Sequence, residues 1–244
     1  MTAEVASGTA PAGREVIKRH ALITRVTHWI NLICLTVLLM SGLQIFNAHP
    51  HLYWGLKGAN FDPALLSLQK FPKWATIPSW QDLSTGRLWH FFFAWLFVAN
   101  GLVYLIHGVF SGHFRRDLKP TRDQLAGFRQ TVLHHLRLKF PKGEEAKRYN
   151  VLQKLAYIVV LVLLVLMLLT GLTMSPAMDT AAPWLLTVFG GRQSARTLHF
   201  IFAFSIVGFV IIHLIAVLGA GPINEIRSMI TGRYVVKPDP GDKP

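Results

Sequence analysis

The sequence is poor in cysteine and in acidic residues, and both shortages narrow what the protein can do. Its 244 residues include one cysteine, Cys34, so the chain cannot form an internal disulfide, hold an iron–sulfur cluster on its own thiolates or attach a c-type haem. There are 12 Asp and Glu residues against 25 Lys and Arg, and all 12 lie outside the long apolar runs. Any metal cofactor must therefore use other ligands.

Apolar residues are gathered into four long runs that contain no Asp, Glu, Lys or Arg. These runs are 26–51, 88–114, 155–178 and 197–224. As a helix rising about 1.5 Å per residue, each run is long enough to cross the ~30 Å hydrocarbon layer of a membrane. We therefore predict an all-α membrane protein, a bundle of four transmembrane helices.

The basic residues predict the orientation of these spans. Nineteen of the 25 lie in segments 1–25, 115–154 and 225–244, and six lie in segments 52–87 and 179–196. Because Lys and Arg concentrate in cytoplasmic loops, we expect both termini and the middle loop to be cytoplasmic. The net charge of +13 is then explained by topology and by contact with anionic membrane lipid, and we expect no nucleic-acid binding.

The segments outside the spans are predicted from composition. The predicted divisions are a disordered N-terminal tail 1–17, a membrane domain 18–235 and a C-terminal tail 236–244. In the middle loop, residues 121–140 have the spacing of an interfacial helix, and His134 and His135 there are interpreted as surface residues. The loop between the first two spans contains Trp54, Trp74 and Trp80, which fit an interfacial aromatic belt or a docking surface.

Histidines are the only residues in the spans with obvious chemistry. With the first two spans predicted at about residues 26–46 and 88–110, inside their charge-free runs, these histidines are His28, His90, His107, His199 and His213. His199 and His213 are fourteen residues apart, which places them within about 40° on one helix face and about 21 Å apart along it. Given the predicted orientation, His90 and His199 lie at the outer depth, and His28 and His213 lie at the inner depth.

We therefore pair His90 with His199 and His28 with His213. Two stacked pairs of neutral imidazoles in an apolar interior are what two b-type haems need for axial ligands. We predict these four histidines as the iron ligands, and no catalytic residue. His107 lies about 100° from the haem-facing side of its helix. It is left open as a hydrogen-bonding group, a quinone contact or a replacement for His28.

Arginines and glycines in the spans also fit the two predicted haem sites. RVTH, RLWH and RTLH place Arg25, Arg87 and Arg196 one helical turn before a histidine, where haem propionates would lie, although Arg25 also fits a cytoplasmic anchor. Gly42 and Gly101 lie at the depth of the haem that their own helix does not ligate, and would leave room for its ring or pack against a helix. The third span has no histidine, so we expect only packing from it.

Three stretches together carry a resemblance to a known family: RVTHWINLICLTVLLMSG, GRLWHFFFAWLFVANGLVYLIHGVFSGHFRRDLKP and ARTLHFIFAFSIVGFVIIHL. They resemble the bacterial cytochrome b family of four-helix subunits that serve nickel–iron hydrogenases, formate dehydrogenases and thiosulfate reductases. The resemblance spans about residues 18–235 and implies the same two ligand pairs. It also implies multi-pass insertion in the bacterial inner membrane and a quinone near the inner haem, where His28, Asn31 and His107 offer polar atoms.

A fourth stretch, FPKWATIPSWQDLSTGRLWHFFFAW, is similar to family members that serve periplasmic molybdopterin oxidoreductases of the sulfite-oxidase type. The leading hypothesis is an electron-transfer subunit, not itself the catalytic subunit, working between a periplasmic molybdopterin or hydrogenase-type enzyme and the quinone pool. One alternative is a self-contained cytochrome b that oxidises quinol or reduces superoxide. The other is a metal or proton transporter lined by histidines, which would be colourless.

Overall fold

The computed structural model of the protein describes residues 15–58, 62–112, 114 and 151–236. The predicted interfacial helix at 121–140, with His134 and His135, lies outside the described residues. The same is true of most of the two predicted tails.

Four long helices confirm the predicted membrane spans. They are α1 (Leu22–Ala48), α2 (Leu83–Phe110), α3 (Val151–Thr173) and α6 (Arg192–Ala220). All four are long and apolar enough to cross a membrane. Each begins four or five residues before the corresponding charge-free run, because polar and charged side chains at a helix end can reach the interface.

The predicted ends of the last two spans were too late. Helix α3 stops at Thr173, and a separate helix α4 (Pro176–Ala181) begins with proline, which cannot continue the preceding helix but fits a first turn. A short helix α5 (Trp184–Val188) follows. Helix α6 stops at Ala220 because Gly221, with φ at 114°, turns the chain into helix α7 (Pro222–Thr231).

Two small sheets accompany the helices. Strand β1 (Glu15–Lys18) pairs antiparallel with β4 (Arg233–Val236), and β2 (His51–Leu52) pairs antiparallel with β3 (Leu66–Ser67). In the first sheet, Ile17, Tyr234 and Val236 form a small buried cluster. Strand β1 thus includes residues 15–17 of the predicted N-terminal tail, and β4 includes Val236, the first residue of the predicted C-terminal tail.

The chain divides into two compact units, which are described separately below. The first unit comprises Met1–Ile30, Ala99–Val159 and Ile211–Pro244, and the second comprises Asn31–Val98 and Val160–Val210. His28 and His213 belong to the first unit, and His90 and His199 belong to the second. Each predicted histidine pair is thus contained in one unit.

Candidate functional site

The structure brings together both of the histidine pairs that were predicted by depth. The imidazole centroids of His28 and His213 lie 6.4 Å apart, and those of His90 and His199 lie 6.3 Å apart. A metal–imidazole bond is about 2 Å long and the nitrogen is about 1 Å from its ring centre, so two imidazoles sharing one metal have centroids about 6 Å apart. Both pairs therefore fit axial ligation of one iron.

Two hydroxyl groups hold the imidazoles of the second unit. Ser41 Oγ on α1 lies 3.1 Å from His90 Nδ1, and Thr170 Oγ1 on α3 lies 3.0 Å from His199 Nδ1. Both hydroxyl residues are fully buried. The prediction that the third span only packs was wrong, because Thr170 contacts a predicted ligand directly.

A glycine follows each of these hydroxyl residues and lies beside the same imidazole. A Cβ added at Gly42 would lie 3.3 Å from Cε1 of His90, and one added at Gly171 would lie 3.4 Å from Cε1 of His199. Gly42 thus lies against an imidazole, a contact that neither of the two predicted roles, room for a haem ring or packing against a helix, had specified. At Gly101, in the first unit, an added Cβ would meet no atom within 4 Å.

The histidines of the first unit have different surroundings. Both His28 and His213 are exposed in the chain alone, whereas His90 and His199 are of intermediate exposure. The rings of Trp29 and His28 make a T-shaped contact with centroids 5.4 Å apart, and Trp29 Nε1 donates a hydrogen bond to the carbonyl of Met229 at 3.1 Å. Asn100 Nδ2 donates to the carbonyl of Thr27 at 2.9 Å. The two hydrogen bonds fix α1 beside His28, and the imidazole itself is contacted by the Trp29 ring.

The three arginines of the Arg-x-x-His motifs have different partners. Arg25 donates to the carbonyl of Ile230, and its Nε is buried without a hydrogen-bond partner among the described residues. Arg87 is exposed, and its guanidinium lies 5.6 Å from the centre of the Phe91 ring. Arg196 donates to the carbonyl of His49. Arg25 Nε and the exposed Arg87 therefore retain donors suited to an anionic group.

His107 lies outside both histidine pairs. No ring contact joins it to His28 or His213 within the part of the chain that the structure describes, so His28 is the residue that faces His213. The Nδ1 atom of His107 is buried, and no described group bonds to it. The structure thus gives no support to His107 as a replacement for His28.

The loop after α1 is held against the start of α6 in the second unit. Thr197 Oγ1 donates to the carbonyl of Tyr53 at 2.7 Å, and the backbone amide of Gly55 donates to Ser194 Oγ at 2.7 Å. Gly191, with φ at 111°, lies so close to Gly55 that a Cβ there would be 2.5 Å from its carbonyl oxygen. These contacts fix this loop beside the helix that carries His199.

Two buried amides at the end of α1 hold the rest of that loop. Asn47 Nδ2 donates to the carbonyls of Phe71 and Trp80, and Gln44 Oε1 accepts from the amide of Ser79. Trp80 also donates from its indole nitrogen to the carbonyl of Phe71 at 2.7 Å, so it is a structural residue of the loop. Trp54 and Trp74 are 59% and 82% exposed, which fits either an interfacial aromatic belt or a docking surface.

The charge state of His49 in this loop follows from its position. Partial burial lowers the pKa of His49 below its usual 6.5, and the nearby Arg196 guanidinium and His51 lower it further. The His49 ring stacks on Tyr53 with a centroid distance of 5.7 Å. His49 is therefore neutral at pH 7, and its carbonyl is the acceptor for Arg196.

Comparison of the sequence with known proteins identifies its family. The family described as prokaryotic cytochrome b561 matches residues 19–232 of the chain. This chain belongs to the prokaryotic cytochrome b561 family. A relative from Azospira oryzae, named as a proposed protein-methionine-sulfoxide reductase subunit, YedZ1, is 30% identical over 201 residues, which cover 82% of this chain and 90% of the relative.

Membership of the cytochrome b561 family confirms the resemblance that the sequence motifs carried. The protein is a multi-pass membrane protein of the bacterial inner membrane, and its cofactor is b-type haem. The chemistry of the histidine pairs fits this group, since each pair presents two imidazoles at a spacing that suits one iron.

The sequence analysis did not identify Ser41 and Thr170 as hydrogen-bond partners of the predicted ligands. A signal was present, because a hydroxyl residue followed by Gly and Leu occurs in the first span at 41–43 and in the third at 170–172. In each case the following span carries an Arg-x-x-His motif, RLWH or RTLH. The repeated pairing of the two motifs would have pointed to a hydroxyl partner for each histidine.

Proposed function

We propose that this cytochrome b561 is the membrane electron-transfer subunit of an oxidoreductase complex and binds two b-type haems. His28 and His213 hold one haem, and His90 and His199 hold the other. The observation that carries the proposal is the pair of centroid separations, 6.4 and 6.3 Å, in two separate units of the chain. When bound, the haems supply reversible one-electron carriage.

The polypeptide binds and orients these groups. In the membrane, lipid together with the apolar helices would keep both histidine pairs away from water, which favours neutral imidazoles that can act as ligands. Arg25, Arg87 and Arg196 stand one turn from three of the four ligands and would bind haem propionates by charge-assisted hydrogen bonds. The buried, unbonded Nε of Arg25 supports that role most directly.

The two exchange partners are a quinone and a periplasmic enzyme. His107 is our candidate for the quinone contact, because its buried Nδ1 has no hydrogen-bond partner among the described residues. For the enzyme we favour a reductase of the molybdopterin class over a hydrogenase. The name of the Azospira relative supports a reductase, and the loop sequence FPKWATIPSWQDLSTG supports the molybdopterin class by its resemblance.

Haem content and quinol exchange test this proposal together. A pyridine haemochrome assay on the purified protein should find about two non-covalent haems per chain, and quinol should reduce haem in membranes. His107→Gln should retain both haems but slow that reduction. A colourless protein would contradict the proposal and favour a transporter, and rapid turnover of quinol with oxidant by the purified chain would favour a self-contained oxidase.

A further inference from the structure

We propose that Ser41 and Thr170 are paired positioning residues that fix the tautomer and orientation of His90 and His199 and lower the reduction potential of the haem held there. The inference rests on the proposed function, because it assumes that these two histidines are iron ligands. It assigns a role to one uncharged side chain of α1 and one of α3.

The hydrogen-bond directions follow from counting protons. A hydroxyl group carries one proton, and in both residues a carbonyl of the same helix accepts it, Val37 for Ser41 and Leu166 for Thr170, each at 2.7 Å. An imidazole that ligates iron through Nε2 carries its proton on Nδ1. Each Nδ1 would then donate to the hydroxyl oxygen, which is free to accept because its own proton goes to the carbonyl.

The two contacts also act on the strength of the ligand. A ligating imidazole whose other nitrogen donates a hydrogen bond is more basic and is held in one orientation. If His90 and His199 hold the iron, more basic imidazoles would favour ferric over ferrous iron. Because Ser41 and Thr170 act on opposite ligands of one pair, their effects on the potential should reinforce each other.

Ordinary helix chemistry does not explain the two contacts. Thr36 and Thr173 also bond a carbonyl four residues earlier, at 2.8 Å in both cases, and neither has a hydrogen bond to a histidine. Ser41 and Thr170 differ from them in being followed by a glycine that lets the imidazole approach the helix. At His28, in the other unit, no hydroxyl bonds to the imidazole among the described residues.

The experiment replaces each hydroxyl in the full-length protein and measures haem content and reduction potential. Ser41→Ala and Thr170→Val should each raise the potential of one haem component, and the double variant should raise it further. A tenfold change in the ferric-to-ferrous equilibrium corresponds to about 59 mV. Haem affinity at this pair should fall about 10-fold to 100-fold on loss of such an outer contact. Thr170→Ser should restore the wild-type potential.

Matched controls separate this role from simple packing. Thr36→Val and Thr173→Val remove hydroxyls of α1 and α3 that bond only to their own helix, so they should leave both potentials unchanged. If Ser41→Ala and Thr170→Val retain two haems with wild-type potentials and electron paramagnetic resonance spectra, the positioning role is wrong. If His90→Ala and His199→Ala also retain both haems, the proposed function fails instead.

Discussion

The two histidine pairs of this cytochrome b561 have nearly the same ring separation but different support. In the second unit, buried hydroxyls bond His90 and His199, and glycines lie against both imidazoles. In the first unit, the rings of His28 and Trp29 make a T-shaped contact, and the side chains of Trp29 and Asn100 donate to backbone carbonyls rather than to the imidazole. The first pair is also more exposed in the chain alone.

This difference indicates that ligand identity and ligand support are separate properties of a haem protein. Each pair offers two imidazoles, so the identity of the ligands alone would give two haems with similar properties. Hydrogen bonds around the ligands change basicity and orientation and with them metal affinity and potential. We therefore expect the His90–His199 haem to be the more tightly held and to have the lower potential.

The largest effect should come from removing the ligands themselves. His90→Ala and His199→Ala should each eliminate one haem component, and it should be the same component. His28→Ala and His213→Ala should each eliminate the other one, because a b-type haem here has no covalent attachment and depends on both axial bonds. A redox titration of the haem absorbance, together with haem content per chain, measures the outcome.

These four variants also test the relay between partner and quinone. Loss of either haem component should abolish partner-to-quinone electron transfer in membranes that contain the native enzyme. If His90→Ala removed the component that His213→Ala removes, the pairing would be wrong. Unchanged transfer in all four variants would refute the relay.

The four spans and the pairing of the histidines were predictable from the sequence because both depend on helix length and periodicity. Four charge-free runs gave the spans, and the spacing of fourteen residues between His199 and His213 placed two imidazoles on one face of α6. Chain direction then gave the partners by depth. The observed approach of His28 to His213 and of His90 to His199 agrees with that pairing.

The support around the ligands could not be predicted in the same way. A Ser or Thr in an apolar helix ordinarily bonds a carbonyl of its own helix, and Ser41 and Thr170 do so as well. Their second contact depends on the rotation and approach of a neighbouring helix, which composition does not encode. The turn at Gly221 and the β1–β4 pairing were missed for a related reason, since both depend on contacts made after the spans end.

A smaller effect is expected from filling the space beside an imidazole. Gly42→Val should destabilise the His90–His199 site by about 1–3 kcal/mol. The new Cβ would lie 3.3 Å from His90 Cε1, and the two methyl groups attached to it would overpack the site. Thermal loss of the haem absorbance should begin at a lower temperature. Gly101→Val is the matched control, since its Cβ would meet no atom within 4 Å.

The outcome for Gly101 also bears on the first unit. If the control variant retains both haems, the open surroundings of Gly101 face lipid. If it loses the His28–His213 component alone, the sequence-based interpretation of Gly101 as room for a haem ring is supported. Equal losses in the Gly42 and Gly101 variants would remove the evidence that Gly42 has a specific contact.

The smallest effect should be a pH dependence confined to the loop of the second unit. The pKa of His49 is lowered from 6.5 by burial, by Arg196 and by His51, so the folded loop favours the neutral imidazole. In the detached loop His49 binds a proton near pH 6.5, and in the folded loop His49 binds it only at lower pH. Between these two values the detached loop holds more protons, so loop stability falls as pH is lowered.

Amide hydrogen exchange measures this change where it occurs. Protection factors for residues 49–57 should decrease between pH 7.5 and pH 5.5 in the wild-type protein, and His49→Gln should reduce the decrease because its side chain does not titrate. Residues 222–236 of the first unit are an internal reference, and the His49 substitution should leave their protection unchanged at both pH values. If the loop protects its amides equally at both pH values in the wild type, His49 does not couple protonation to the closure of this loop. If both segments lose protection together and His49→Gln has no effect, the pH dependence belongs to the whole protein, and the contrast between the two units does not extend to protonation.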